Sequence, residues 1–152
     1  PGGTVFGVLE LASAPTEIDF GSAKYQGKTT RINSAQHHGA DLVVKDSRAN
    51  KKGWTLTAKL TTPMTSTNPD VPAYTLDGAL KYVYNNNEFT LYCGALDNIT
   101  QLANASTAET TYNISDTWSA SGDGFKFETA AQDVKALGTY QGEILWELGD
   151  TP

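Results

Sequence analysis

Apolar and polar residues alternate along two stretches of this chain. From Trp54 to Thr61, Trp54, Leu56, Ala58 and Leu60 share one parity, and Thr55, Thr57, Lys59 and Thr61 the other. From Tyr140 onward, Tyr140, Gly142, Ile144, Trp146 and Leu148 alternate with Gln141, Glu143, Leu145 and Glu147. A period of two predicts β-strands with one buried and one wet face. Each stretch carries a Trp-x-Leu triplet, whose Trp and Leu at i and i+2 point to the same side of a strand. Burying one Trp removes roughly 150–250 Å², worth about 4–6 kcal/mol at about 25 cal/mol per Å². Trp54, Leu56, Trp146 and Leu148 are therefore expected mainly in the core, on neighbouring strands that form one apolar seam; the alternative is a binding platform on which Trp54 and Trp146 stack against sugar rings.

The rest of the chain reads as further short strands. Thr4–Leu11 predicts a first strand, with Gly7 hinting at a bulge or an edge. Ala12–Thr16 predicts a turn around Pro15, followed by a short extended piece, Glu17–Phe20, that Gly21 stops. Ser22–Gly39 predicts a loop with one short strand near Lys28–Ile32. Asp41–Asp46 predicts a compact strand. About seven turn-like residues separate it from Trp54, which suggests an antiparallel hairpin. The three prolines at 63, 69 and 72 predict a surface loop over Thr62–Pro72. Strand material follows in Tyr74–Tyr84, Phe89–Cys93 and from Phe125, with turns at Asn85–Asn87 and Ser121–Gly124. Ile99–Ala105 has the spacing of a helical turn. No segments of helical length alternate with the strands, so a parallel α/β sheet is not supplied. The fold class expected is all-β: an antiparallel β-sandwich, Ig-like or barrel-like, with long loops and at most short helical turns. Without a linker or low-complexity stretch, residues 1–152 read as a single domain.

Composition narrows the partners. The net charge is -6 and charged residues are 18% of the chain. An acidic surface argues against nucleic acid, whose phosphates need Lys and Arg clusters, and against attraction to anionic membranes. No apolar run approaches the roughly 20 residues of a membrane-spanning helix, so no membrane insertion is expected. The chain begins Pro1-Gly2-Gly3 without a recognisable signal peptide, as a processed product would. The lone Cys93 excludes an intramolecular disulfide and reads as a small buried apolar residue.

Candidate chemistry is sparse. His37-His38 is an adjacent pair whose side chains diverge on extended backbone. One could join Asp41 at a metal, but solvated loop histidines are the better reading, and no metal site is expected. Asp116, Asp123, Glu128 and Glu143 lie among Trp118, Phe125 and Phe127. Glycoside hydrolysis would need two carboxylates about 5–9.5 Å apart, which nothing in the sequence fixes. No nucleophile elbow, phosphate loop or dinucleotide fingerprint occurs. No catalytic residue and no cofactor is expected. Ser121-Gly122-Asp123-Gly124 lacks the alternating oxygens of a calcium loop and reads as a tight turn. Three sequons, at Asn98, Asn104 and Asn113, matter only in a glycosylating pathway. Trp118, in the polar run Asp116-Thr117-Trp118-Ser119, is the aromatic with the best claim to an exposed saccharide contact.

An ordered set of blocks resembles the WxL domain, a C-terminal cell-surface domain of Gram-positive bacterial proteins. Ile18-Asp19-Phe20-Gly21 is similar to its early Phe-Gly. Val44-Lys45-Asp46-Ser47-Arg48, then Gly53-Trp54-Thr55-Leu56-Thr57, is similar to its Asp-x-Arg and Gly-Trp-Thr-Leu block. Gly138-Thr139-Tyr140, Leu145-Trp146-Glu147-Leu148 and Asp150-Thr151-Pro152 are similar to its terminal block. Glu147 departs from the pattern, which often has Thr there. The resemblance implies a secreted, non-enzymatic domain at the cell wall, attached non-covalently through peptidoglycan. It also implies, as alternative partner, a membrane-anchored WxL-interacting surface protein.

Overall fold

The computed structural model describes residues 7–49, 53–94 and 110–150. Nine strands form three antiparallel sheets: β1 (Leu9–Asp19), β2 (Thr30–Ile32), β3 (Gln36–Asp46), β4 (Trp54–Ser66), β5 (Leu80–Tyr84), β6 (Asn87–Thr90), β7 (Thr111–Asn113), β8 (Gly124–Thr129) and β9 (Tyr140–Asp150). The sheet orders are β1-β3-β7, β2-β8-β5-β6 and β4-β9. Two single-turn 3-10 helices, Ile114–Thr117 and Ala131–Asp133, are the helical elements among the described residues. The architecture is all-β and sandwich-like, and the sheets do not close into a barrel.

The ribbon β4-β9 packs against both of the other sheets. Leu56 stands opposite Leu148, Ala58 opposite Trp146 and Leu60 opposite Ile144. Directly opposed residues share a face, so both Trp-x-Leu triplets contribute to one apolar seam. Its first half, Trp54 and Leu56, packs with Leu42, Val44 and Ile114. Its second half, Ala58 and Leu60, packs with Leu80, Tyr82, Leu91 and Phe125. One long strand thus serves two core clusters, and Trp118 and Trp146 border both. Trp54 is 1% exposed and meets Tyr112 edge-on at 5.9 Å. Ile144, Trp146 and Leu148 are half-buried, while Glu143, Leu145 and Glu147 are exposed.

Several expectations are corrected. Asp41–Asp46 and Trp54–Thr61 do not form a hairpin: β3 pairs with β1 and β7, and β4 with β9. The short connection crosses between layers, because both strands have an apolar parity that must meet across the core. The predicted turn at Ala12–Thr16 is strand, and β1 runs through Pro15. Proline is tolerated there because β1 is an edge strand, and register shifts flank Pro15. β3 begins at Gln36, inside the predicted loop, and β4 continues through Pro63 to Ser66 with register shifts around it. Gly142 makes that irregular pairing possible: a Cβ there would lie 2.7 Å from the Thr62 carbonyl oxygen. Gly7 precedes β1, and a Cβ on it would overlap the Ser47 backbone. Cys93 is exposed, and Leu91 takes the buried position instead. Thr4–Phe6, the helical turn at Ile99–Ala105 and the sequons at Asn98 and Asn104 lie outside the described residues. The turn at Asn85–Asn87 matches: Asn85 and Asn86 have φ of 51° and 65°, as a tight β5-β6 hairpin requires.

A buried ion pair fixes the crossing between layers. Asp46 is 3% exposed. The Arg48 Nε and Nη2 donate to its two carboxylate oxygens at 2.8 and 2.9 Å, and Nη2 also donates to the Gly53 carbonyl at 3.1 Å. The guanidinium ties the end of β3 to the residue before Trp54. Removing one partner of a buried pair leaves an uncompensated charge, so Arg48→Ala is expected to lower stability by about 3 kcal/mol in urea unfolding. Trp54→Ala is expected to cost about 3–5 kcal/mol, and Trp146→Ala, at a half-buried site, less than Trp54→Ala in the same assay.

Candidate functional site

Trp118 leaves the 3-10 turn at Ile114–Thr117 and reaches back over β5 and β8. It is half-buried. Its indole Nε1 donates to the Tyr82 hydroxyl at 2.9 Å. Its rings meet Phe125 at 5.5 Å and Tyr82 at 6.4 Å, both edge-on. Gly124, with φ of 124°, gives the indole room, since a Cβ there would stand 3.2 Å from Trp118. Burial raises the Tyr82 pKa well above the ordinary phenol value, so the hydroxyl stays neutral and accepts the indole hydrogen bond.

Trp118 lines a pocket of about 420 Å³ beside Phe125, together with Asn33, Gln36, His37 and Asp123. Polar side chains beside aromatic rings suit a small polar ligand with an apolar face. The β2-β3 connection, the Ser119–Asp123 turn and the start of β3 and β8 form its walls. Lys126 holds two of those walls together. It is 2% exposed, and its Nζ donates to the carbonyls of Asn33 at 2.7 Å, Ser119 at 2.6 Å and Ala120 at 3.2 Å. Burial, followed by the nearby Arg31 charge, holds its pKa below the usual lysine value. Lys126 was not singled out from sequence; the available signal is a cation between two phenylalanines in a strand.

A polar relay stands behind the pocket. The His37 Nε2 lies 2.8 Å from an Asp41 carboxylate oxygen, and its ring meets Trp118 edge-on at 5.4 Å. The Asn113 amide donates to the other Asp41 oxygen at 2.8 Å, and the Ser115 hydroxyl donates to Asn113 Oδ1 at 2.6 Å. Ser115 Oγ accepts the Leu42 N–H at 3.2 Å. The sequon at Asn113 thus has its amide committed inside the fold. The adjacent histidines diverge, as β-geometry requires: His37 takes Asp41, and His38 approaches Asp19 at 3.5 Å.

The predicted carboxylates have separate duties. Glu128 pairs with Arg31 at 3.5 Å, Glu143 approaches Thr62 at 3.4 Å, and Asp123 in the Ser121–Gly124 turn accepts the Asn85 N–H of the β5-β6 turn at 3.0 Å. Trp54, Leu56, Trp146 and Leu148 come together in one seam, which meets the Trp118 pocket where Trp118 packs against the Trp54–Leu56 cluster and where Trp146 and Trp118 both touch Phe125.

The sequence comparison places this fold. A family model described as the WxL domain, surface cell wall-binding, matches residues 1–152. The chain belongs to the WxL family. It is therefore a cell-surface, wall-associated domain, of a family of wall-binding domains and not of enzymes. No curated protein and no solved structure matches it. No helix among the described residues is long and apolar enough to cross a membrane.

The relay makes stability depend on acid. Hydrogen bonds from Asn113 and then His37 hold the Asp41 carboxyl below its ordinary pKa of 3.8. A depressed carboxyl pKa stabilises the fold above the unfolded value, and that contribution is lost as pH falls through the folded value. Asp41→Asn is expected to lower the urea midpoint at neutral pH and to flatten the midpoint's decline below about pH 4. Matched urea titrations of both proteins at neutral and acid pH check this.

Proposed function

We infer that this WxL domain associates non-covalently with peptidoglycan as a binding module without catalytic function. The observation that carries this reading is the wall-binding family match across residues 1–152. The pocket at Trp118 is the contact we assign, because there Trp118 and Phe125 border an opening furnished with Asn33, Gln36, His37 and Asp123. An aromatic ring offers an apolar platform to the C–H face of a sugar, and amide and imidazole groups suit its hydroxyls. On this reading the ligand is the glycan of the wall, and the Trp-x-Leu seam acts by holding the two layers in place.

A second reading is favoured by the strand edges. β1 and β9 each have one edge that pairs with no strand among the described residues. A groove of about 1510 Å³ runs between Pro15–Phe20 and Tyr140–Trp146, floored by Met64, Leu60 and Leu80. An extended segment could add to either edge, with main-chain hydrogen bonds for affinity and apolar pockets for specificity. The partner on this reading is a WxL-interacting, membrane-anchored surface protein, and wall association is indirect.

Pelleting of the purified domain with bare peptidoglycan sacculi separates the readings. Direct binding that drops at least about tenfold in Gln36→Ala and Trp118→Ala, while Gln36→Ala keeps the wild-type melting temperature, supports glycan contact; tenfold corresponds to about 1.4 kcal/mol. Pelleting that needs the companion protein, and is indifferent to both substitutions, transfers the function to the groove.

A further inference from the structure

We propose a divalent transition-metal site, suited to Zn²⁺, formed by Glu17, Asp19 and His38 on the outer face of the β1-β3 pair. Glu17 stands directly opposite His38 in the antiparallel register, and Asp19 follows two residues after Glu17. All three side chains therefore rise from one face of the ribbon. One ligand atom from each lies within 4.8 Å of the others.

The His38–Asp19 geometry is that of ligands sharing an ion more than that of a hydrogen bond. The imidazole Nε2 and the carboxylate Oδ2 are 3.5 Å apart, beyond the usual range of about 2.7–3.2 Å for N–H to O bonds. Two ligands each about 2.1 Å from a tetrahedral zinc stand about 3.4 Å from one another. Asp19 is also oriented: its Oδ1 accepts the Gly21 N–H at 2.8 Å, leaving Oδ2 toward His38. Outer-shell bonds of this kind fix ligating carboxylates. The His38 carbonyl accepts the Thr16 hydroxyl at 3.2 Å, which ties the ligand backbone to the partner strand.

The donor set selects the metal. One imidazole with two carboxylates favours zinc over calcium or magnesium, which prefer oxygen alone. Two carboxylates this close repel, and a divalent cation removes that repulsion. Three protein ligands leave a fourth position open to solvent, the arrangement of a non-structural zinc site. The paired positions explain why the chain sequence hides this site: Glu17 and His38 are twenty-one residues apart, and only the register joins them. His37, on the opposite face, takes no part.

The test is calorimetric titration of Zn²⁺ into the chelator-stripped, untagged 152-residue chain, above the ordinary imidazole pKa of about 6.5. Binding of one equivalent is expected, weakened at least about tenfold by His38→Gln and by Asp19→Asn and within about twofold of wild type in His37→Gln. Co²⁺ in place of Zn²⁺ should give the intense visible bands of tetrahedral coordination, lost in His38→Gln. All three substitutions sit at partly exposed positions, and melting curves confirm that each variant is folded. Absence of one-equivalent binding by the folded wild-type chain overturns the proposal, as does wild-type affinity in His38→Gln or loss of binding in His37→Gln alone.

Discussion

The pairing of β4 with β9 is the contact on which both cores rest. Trp54 and Leu56 belong to one cluster, and Ala58 and Leu60 to the other. β9 supplies Leu148, Trp146 and Ile144 opposite Leu56, Ala58 and Leu60. A slip of one residue would turn every one of these side chains to the wet face. The residues that hold this register are therefore those that the family's motif spells out. Ala58 opposite Trp146 is a small residue facing a large one, which leaves the indole space to reach Phe125 at 5.8 Å. The seam is thus a jigsaw in which the Trp-x-Leu triplets are complementary parts, Trp54 and Leu56 buried and Trp146 and Leu148 half-buried.

The same reasoning gives the second motif block a physical meaning. Asp46 ends β3, Arg48 follows two residues on, and Gly53 begins the approach to Trp54 with φ of 99°. The guanidinium neutralises the buried carboxylate and also donates to the Gly53 carbonyl. A left-handed residue here suits glycine, and it turns the chain from one layer to the next within a few residues. Without that crossing, the apolar parities of β3 and β4 could not face one another.

Legibility followed the range of the information. Alternation is local, so the strands around Trp54 and Trp146, the Asn85–Asn86 turn and the Ser121–Gly124 turn could be read directly. Partner choice is not local. Two strands close in sequence invite a hairpin, yet β3 and β4 pair elsewhere because their apolar faces must meet across the core. Pro15 misled for a similar reason: proline argues against a strand only where its missing N–H is needed, and whether β1 is an edge depends on the whole topology. At the candidate pocket, Trp118 was visible as an aromatic in polar surroundings. Its indole bond to Tyr82 and the Lys126 clamp were not, since each joins segments from different sheets or turns.

The Trp118 pocket is built on rigid parts, which bears on what it can recognise. Trp118 and Phe125 line it, Tyr82 backs both rings, and its rim is tied down by Lys126 through three carbonyls. The relay from His37 through Asp41 and Asn113 to Ser115 then fixes the β3 side against the 3-10 turn. A preorganised site loses little entropy when a ligand binds. Such a site gains most from a ligand that is itself stiff, as a sugar ring is, and least from a flexible peptide. The free edges of β1 and β9 have the opposite character, since an added strand must be ordered as it binds. Rigidity, more than the presence of an aromatic, is what makes the pocket the stronger candidate for direct contact with the wall glycan.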